Sequence, residues 1–163
     1  MNKLKKLWTS ICVEWWVFRK GVENIIAYAP IIWRDRDFDS NYLLELMEFK
    51  FRRMADSFDK YGHHENSEKD VAELKECAAI CYRIREETHE EDFLAAHEAK
   101  WGKSVWHSSS TLMYFHRPNA DTEEKREQES QELEEGYNEV ERKIQVDLKR
   151  FGELFMNVRN WWD

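Results

Sequence analysis

The sequence predicts an all-α protein: a four-helix-bundle-like single domain over residues 1–163, with a long aromatic-rich loop between the third and fourth helices. Three observations lead there. Four segments repeat apolar residues at alternating spacings of three and four, which keeps those residues on one helix face. Only five Gly and two Pro occur in 163 residues, so turns are scarce and long helices with short connections are favoured. Hydrophobic residues at 42% and charged residues at 36% suit a folded chain that can bury one core without staples.

In the first segment Leu4, Trp8, Ile11, Trp15, Phe18, Val22 and Ile25 form the stripe, and the helix is expected to end before Pro30. In the second, Leu43, Met47, Phe51, Met54, Phe58 and Tyr61 repeat the rule, and Gly62 follows as a C-cap. Asp39 and Asp37 stand where they can cap this helix, and Glu48–Arg52 and Asp56–Lys60 read as i,i+4 pairs on its outer face. The third segment carries Val71, Leu74, Ala78, Cys81 and Ile84, with Ser67 and Asp70 as a capping box. Its seam weakens after Ile84, and Phe93, Leu94, His97 and Trp101 start a new phase, so a break is expected near Thr88 to Asp92. The fourth segment runs through Leu133, Tyr137, Val140, Ile144, Leu148, Phe151, Phe155, Val158 and Trp162, opened by Asp121 with Glu124. Between the last two, residues 102–120 lose periodicity. Ser108, Ser109, Ser110 and Pro118 mark a loop that nevertheless carries Trp106, His107, Tyr114, Phe115, His116 and Arg117. A long connection of that composition is either folded onto the core or functional.

The net charge of −8 argues against general nucleic-acid binding, which needs a basic surface. The charge is uneven. Lys3, Lys5, Lys6, Arg19 and Lys20 face Glu14 alone in the first twenty residues, whereas Asp121 to Glu135 holds eight acids against Lys125 and Arg126. Cys12, Cys77 and Cys81 are odd in number and form no CxxC pair, which points to a reducing cytoplasm. The basic and apolar N-terminus is interrupted by Glu14, Arg19 and Lys20, so it reads as neither a signal peptide nor a membrane span.

Candidate sites are few. Asp35, Asp37 and Asp39 alternate as in a calcium loop, but the sixth position is Ser40 rather than Gly and the twelfth is Leu46 rather than Glu. Either Arg34 and Arg36 pair with acids on neighbouring helices while Asp37 and Asp39 cap the second helix, or one of the two arginines, beside that helix N-terminus, holds an anion such as a phosphate. Glu86 and His89 form one E-x-x-H, where di-metal bundles use two. The pairs Glu45/Glu48 and Glu73/Glu76 have the spacing of magnesium-holding carboxylates in helical nucleotide hydrolases, a spacing that chance also supplies in so acidic a chain. Cys77 and Cys81 read as buried, inert thiols. No Ser-centred, P-loop or Rossmann pattern exists. No cofactor, resident metal or catalytic residue is therefore assigned. Eight Trp exceed what a small bundle needs; the surplus serves a subunit interface or stacks on a planar ligand.

Three motifs resemble a broad set of phage-encoded helical proteins. One is W-x-D-R-D-[aromatic]-D with following leucines and K-x-x-x-M, here Trp33, Asp35, Arg36, Asp37, Phe38, Asp39, Leu43, Leu44, Lys50 and Met54. The second is H-E-x-K-W-G, at His97, Glu98, Lys100, Trp101 and Gly102, and the third is Trp161, Trp162 and Asp163. Phe38 stands where some of those proteins have Trp. The resemblance spans nearly the whole chain and implies a small phage accessory protein, without an activity to carry over. The sequence expectation is thus a non-catalytic phage protein of the host cytoplasm, a homo-oligomer without membrane attachment. It sequesters a nucleotide-derived immune signal on Trp33, Arg34, Arg36, Trp101, Trp106, His107, Arg117 and Trp162, with Trp33, Arg36, Trp101 and Trp162 around a shared pocket or interface. The alternatives are a module that binds or inhibits a host or phage protein through the aromatics and the acidic stretch, and a metal-dependent nucleotide hydrolase.

Overall fold

The computed structural model describes residues 3–36, 39–62, 67–108 and 113–158. Helices α1 (Lys3–Arg34), α2 (Ser40–Tyr61), α3 (Ser67–Arg85), α4 (Thr88–Trp101) and α5 (Glu123–Met156) make the protein all-α apart from one hairpin, β1 (Val105–Ser108) and β2 (Met113–His116). No described helix is long and apolar enough to cross a membrane. The chain divides into two compact units, Met1–Leu46 and Met47–Asp163.

In the first unit α1 runs through Pro30 instead of stopping before it. Proline removes one donor, the bond that residue 30 would make to the carbonyl of Ile26, and disfavours the preceding turn. The turn after it is held regardless. The Asp35 amide donates to the Ile31 carbonyl at 3.1 Å, and Arg34 Nε donates to the Pro30 carbonyl at 3.1 Å. Asp39 does cap α2, its Oδ1 accepting from the Asn41 amide at 2.9 Å; Asp37 lies outside the described residues. Among the α1 residues of described burial, Ile31 is the buried apolar one.

The core of the second unit comes from Phe51, Met54, Ala55 and Phe58 of α2, from Val71, Leu74, Cys77, Ala78, Ile80 and Cys81 of α3, and from Val140 and Leu154 of α5. Phe51 meets the Phe151 ring edge-on at 5.9 Å. Each fully buried aliphatic such as Leu74 contributes about 1.5–3 kcal/mol. Glu48, expected on the outer face of α2, is buried; it bridges Arg52 at 2.7 Å and Arg85 of α3 at 3.0 Å. A break does separate α3 from α4, but at Glu87, just ahead of the expected Thr88 to Asp92, where the φ of 54° is left-handed. A non-glycine residue there costs about 1–2 kcal/mol. The corner is clamped from both sides. Asp147 of α5 takes a forked pair of hydrogen bonds from Arg83, at 2.8 and 2.7 Å, and lies 3.0 Å from His89 Nε2.

The aperiodic stretch is a hairpin rather than a loop, antiparallel with Trp106 opposite Phe115 and His107 opposite Tyr114. Aromatic and imidazole side chains occupy both of its faces, so no apolar–polar alternation betrays the strands. The cap of α5 is also displaced. Thr122, not Asp121, accepts from the Lys125 amide at 3.3 Å, and Asp121 pairs with the Lys125 ammonium at 2.7 Å.

Candidate functional site

The H-E-x-K-W-G motif ends α4 and enters the hairpin, and its side chains are fastened to the first three turns of α5. Lys100 holds both oxygens of Glu132 at 2.6 and 2.7 Å, and the indole N–H of the buried Trp101 donates to the same carboxylate at 2.9 Å. These donors, Lys100 first and Trp101 second, hold the Glu132 carboxyl at about 2. Gly102 follows with φ 83°, and a Cβ there would meet the Pro118 ring at 3.1 Å; left-handed backbone and close approach both require glycine.

Beyond the hairpin, Arg117 is buried and donates from Nε to Glu129 at 2.9 Å and from its terminal nitrogen to the Gly102 carbonyl at 2.9 Å. His97 lies 3.5 Å from Glu129 and buries an Nδ1 with no hydrogen-bond partner. Asn119 completes the seam, donating to the carbonyls of Lys100 and Trp101. Against this cluster lies a cavity of about 640 Å³, lined by Phe115, His116, Arg117, Arg126 and Glu129 among others. That volume falls in the range of small-molecule sites. Two acids at its wall, Glu129 and Asp121, are neutralised by Arg117 and Lys125. Arg126 is half-committed: its Nε donates to the Ala120 carbonyl at 3.3 Å and a terminal nitrogen lies 3.5 Å from an exposed Glu123. Trp106 packs on Phe115 at 5.3 Å beside the cavity, and His107 stacks on His116 at 4.8 Å.

No known protein family, curated protein or solved structure matches this chain.

Trp101, Trp106, His107 and Arg117 of the expected set fall in this one region of the second unit. Trp101 and Arg117 are consumed in holding it together, while Trp106 is 65% exposed and available to a ligand. Trp33, Arg34 and Arg36 belong to the first unit. There Trp33 is exposed, and Arg34 is bound to Glu45 at 2.6 Å. Arg36 lines a second cavity of about 450 Å³ with Ile31, Asp39 and Tyr42. Trp162, with Trp161, Asp163, His63 and His64, lies outside the described residues.

The paired carboxylates are matched to cations: Glu45 to Arg34, Glu48 to Arg52 and Arg85, Glu73 to Lys69 at 3.7 Å, and Glu76 to both nitrogens of Arg150 at 2.7 and 2.8 Å. Glu86 pairs with Arg85 and does not join His89. Among the described residues no group of three His, Cys, Asp or Glu is placed to hold a metal ion. Burial pushes the Cys77 and Cys81 thiols up to about 12 and about 11, which keeps them protonated and unreactive.

Glu129, Glu132 and Asp147 went unrecognised in the sequence because they read as a solvated acidic face. A signal was present. Glu129, Leu133, Gly136, Val140, Ile144, Asp147, Phe151 and Leu154 also alternate threes and fours, and this is the face that carries the buried Glu129, Val140 and Leu154.

The clamps carry a pH dependence. The Arg83 guanidinium, and after it His89, lowers the Asp147 carboxyl, as Lys100 lowers Glu132. A carboxyl depressed in the folded state adds stability that is complete above its unfolded value and is lost as pH falls toward the folded one. The melting temperature is expected to hold from pH 7 to about 5, then fall between 4.5 and about 2, the window set by Glu132. Circular-dichroism melts across that range check it; Asp147→Asn should flatten the acid limb.

Proposed function

We propose that this protein is a binding protein without catalytic chemistry, and that the cavity between the hairpin and the start of α5 takes a small planar molecule bearing one phosphate-like anion. The observation that carries this reading is the pairing of functions at the cavity wall. Arg126 is only half-committed there, the exposed His116 is bonded to His107 at 2.9 Å through Nδ1, and Phe115 offers an aromatic face with the exposed Trp106 packed against it. Arg117, spent on Glu129, adds orientation rather than charge, so a single phosphate fits this wall better than a polyphosphate. Commitment of the paired carboxylates to arginines and lysines supports binding over metal-assisted hydrolysis. The phage resemblance suggests that the ligand is a nucleotide-derived host signal held in the host cytoplasm.

Native mass spectrometry with a panel of cyclic and ADP-ribose-derived nucleotides tests this. One nucleotide is expected to bind and to be released unchanged. Arg126→Ala should weaken it at least tenfold, and Trp106→Ala by about five- to a hundredfold, as loss of one stacking face does. Release of a ligand of altered mass would make the protein an enzyme.

A second reading has its own support. Glu123, Glu124 and Glu127 are exposed near the start of α5, close to Lys125 and Arg126, a surface that suits a basic protein partner. Charge reversal of those three acids would abolish such a complex and leave nucleotide binding standing.

A further inference from the structure

Helix α1 carries more apolar surface than its own unit covers. Among its residues of described burial only Ile31 is buried, yet Trp8, Ile11, Trp15, Phe18, Ile25 and Ile32 are each more than half exposed, Trp8 at 69% and Ile25 at 70%. Val13, Trp16, Val17, Ile26 and Trp33 are exposed as well, but the first six fall into two rows. Trp8, Trp15, Val22 and Ala29 stand seven apart, and so do Ile11, Phe18, Ile25 and Ile32 three residues after them. This is an a/d heptad sustained over more than three repeats, the pattern that supercoils one helix against a like helix. At 100° per residue, Ile31 falls on the side of α1 opposite the middle of this seam.

We propose that α1 is a homodimerisation helix, in which two copies of this chain join through a parallel coiled coil along the Trp8–Ile32 seam. The size fits. Two Trp, one Phe and four branched aliphatics expose on the order of 700 Å² per helix, close to the roughly 800 Å² each partner gives to a stable interface. Charge sets the direction. Glu14 occupies a g position and Arg19 the e position of the next heptad, the two sites that face each other across a parallel pair. Arg19 reaches along its own helix to Glu23 at 2.9 Å with 71% of its side chain exposed, and so can turn to a partner. An antiparallel pair sets g against g and e against e. The remaining e and g residues, Cys12, Ile26, Trp33, Gly21 and Tyr28, offer neither charge an opposite. The seam is made of residues of the first unit and the hairpin cavity of residues of the second, so this inference does not rest on the ligand reading.

Sedimentation equilibrium of the full chain is expected to give twice the 19.9 kDa chain mass. Phe18→Glu should raise the dissociation constant by about 30-fold or more, as removal of an interface hot spot does. Val17→Glu, on the opposite face of α1, should leave it unchanged. Arg19→Glu should weaken the dimer and Glu14→Arg with Arg19→Glu restore it. In a Cys12→Ser background, Ile11→Cys should cross-link on oxidation, since d positions meet d positions only in a parallel pair. A monomer at tens of micromolar, or a dimer indifferent to Phe18→Glu, would overturn the proposal. Co-sedimentation of such a monomer with phosphatidylserine vesicles would give the face to a lipid surface instead. Helical circular dichroism retained in each variant separates lost association from lost folding.

Discussion

Replacing Arg117 with methionine is expected to destabilise the protein by about 3–5 kcal/mol, because it leaves the Glu129 carboxylate buried without its cation. Both side chains of this pair are almost wholly buried, at 8% and 12% exposure. Screening by water is therefore small. What remains beside Glu129 is His97 at 3.5 Å, too long for a strong bond. The same arginine anchors the Gly102 carbonyl, so the hairpin should loosen from α4 along with it. For a chain of this length the loss corresponds to a fall of roughly 6–20 °C in Tm. A thermal melt measures it, and the double variant Arg117→Met with Glu129→Leu should recover most of the loss, since an apolar pair of similar volume replaces a buried ion pair at little cost. If the double variant is as unstable as the single one, the guanidinium's bond to the Gly102 carbonyl, rather than the uncompensated charge, is what matters.

Two glycines of α5 should respond to alanine with opposite signs. Both sit in the interior of the helix, where alanine is favoured by about 1 kcal/mol. Gly152 has nothing within 4 Å of an added Cβ, so Gly152→Ala should stabilise by about that amount. A Cβ on Gly136 would fall inside the Phe93 ring, against Cε2 and Cζ. Phe93 cannot retreat freely, because it stands edge-on to Tyr137 at 5.7 Å and beside His97 at 5.7 Å. Overpacking of that kind costs about 1–3 kcal/mol, and here the interior must yield by more than an ångström, so Gly136→Ala should be net destabilising. Urea titrations of the two variants give both signs directly. The displaced Phe93 would press on His97, so the Gly136 variant should also disturb the Arg117–Glu129 cluster, whereas the Gly152 variant should not.

Helix was legible wherever a stripe of threes and fours ran long. Residues 43–61 and 71–84 announce α2 and α3, and the loss of phase after Ile84 announces the corner that Glu87 makes. Residues at termini were legible only where one side chain settles the matter locally. Asp39 reaches its own helix, whereas at α5 Asp121 is drawn to the Lys125 ammonium and Thr122 takes the cap. Pro30 misled because its penalty is real but finite, and the following turn recovers its bonds. The heptad of α1 was visible as a stripe from the first residues. Its exposure was not, since periodicity states that a face is apolar and says nothing of what covers it.

The sequence by itself determined the helical class, the main seams and the break in the third segment. All of these depend on neighbours within a few turns. Only the tertiary structure decided which of two overlapping faces of α5 turns inward, because the choice hangs on partners 12 to 64 residues away: Arg117 for Glu129, Phe93 for Gly136 and Arg83 for Asp147. It alone paired β1 with β2, and it alone separated the buried Arg117, fixed on Glu129, from Arg126, held only by the Ala120 carbonyl and an exposed Glu123. Charge on a helix looks solvated in one dimension; whether it is solvated depends on what the fold sets opposite it.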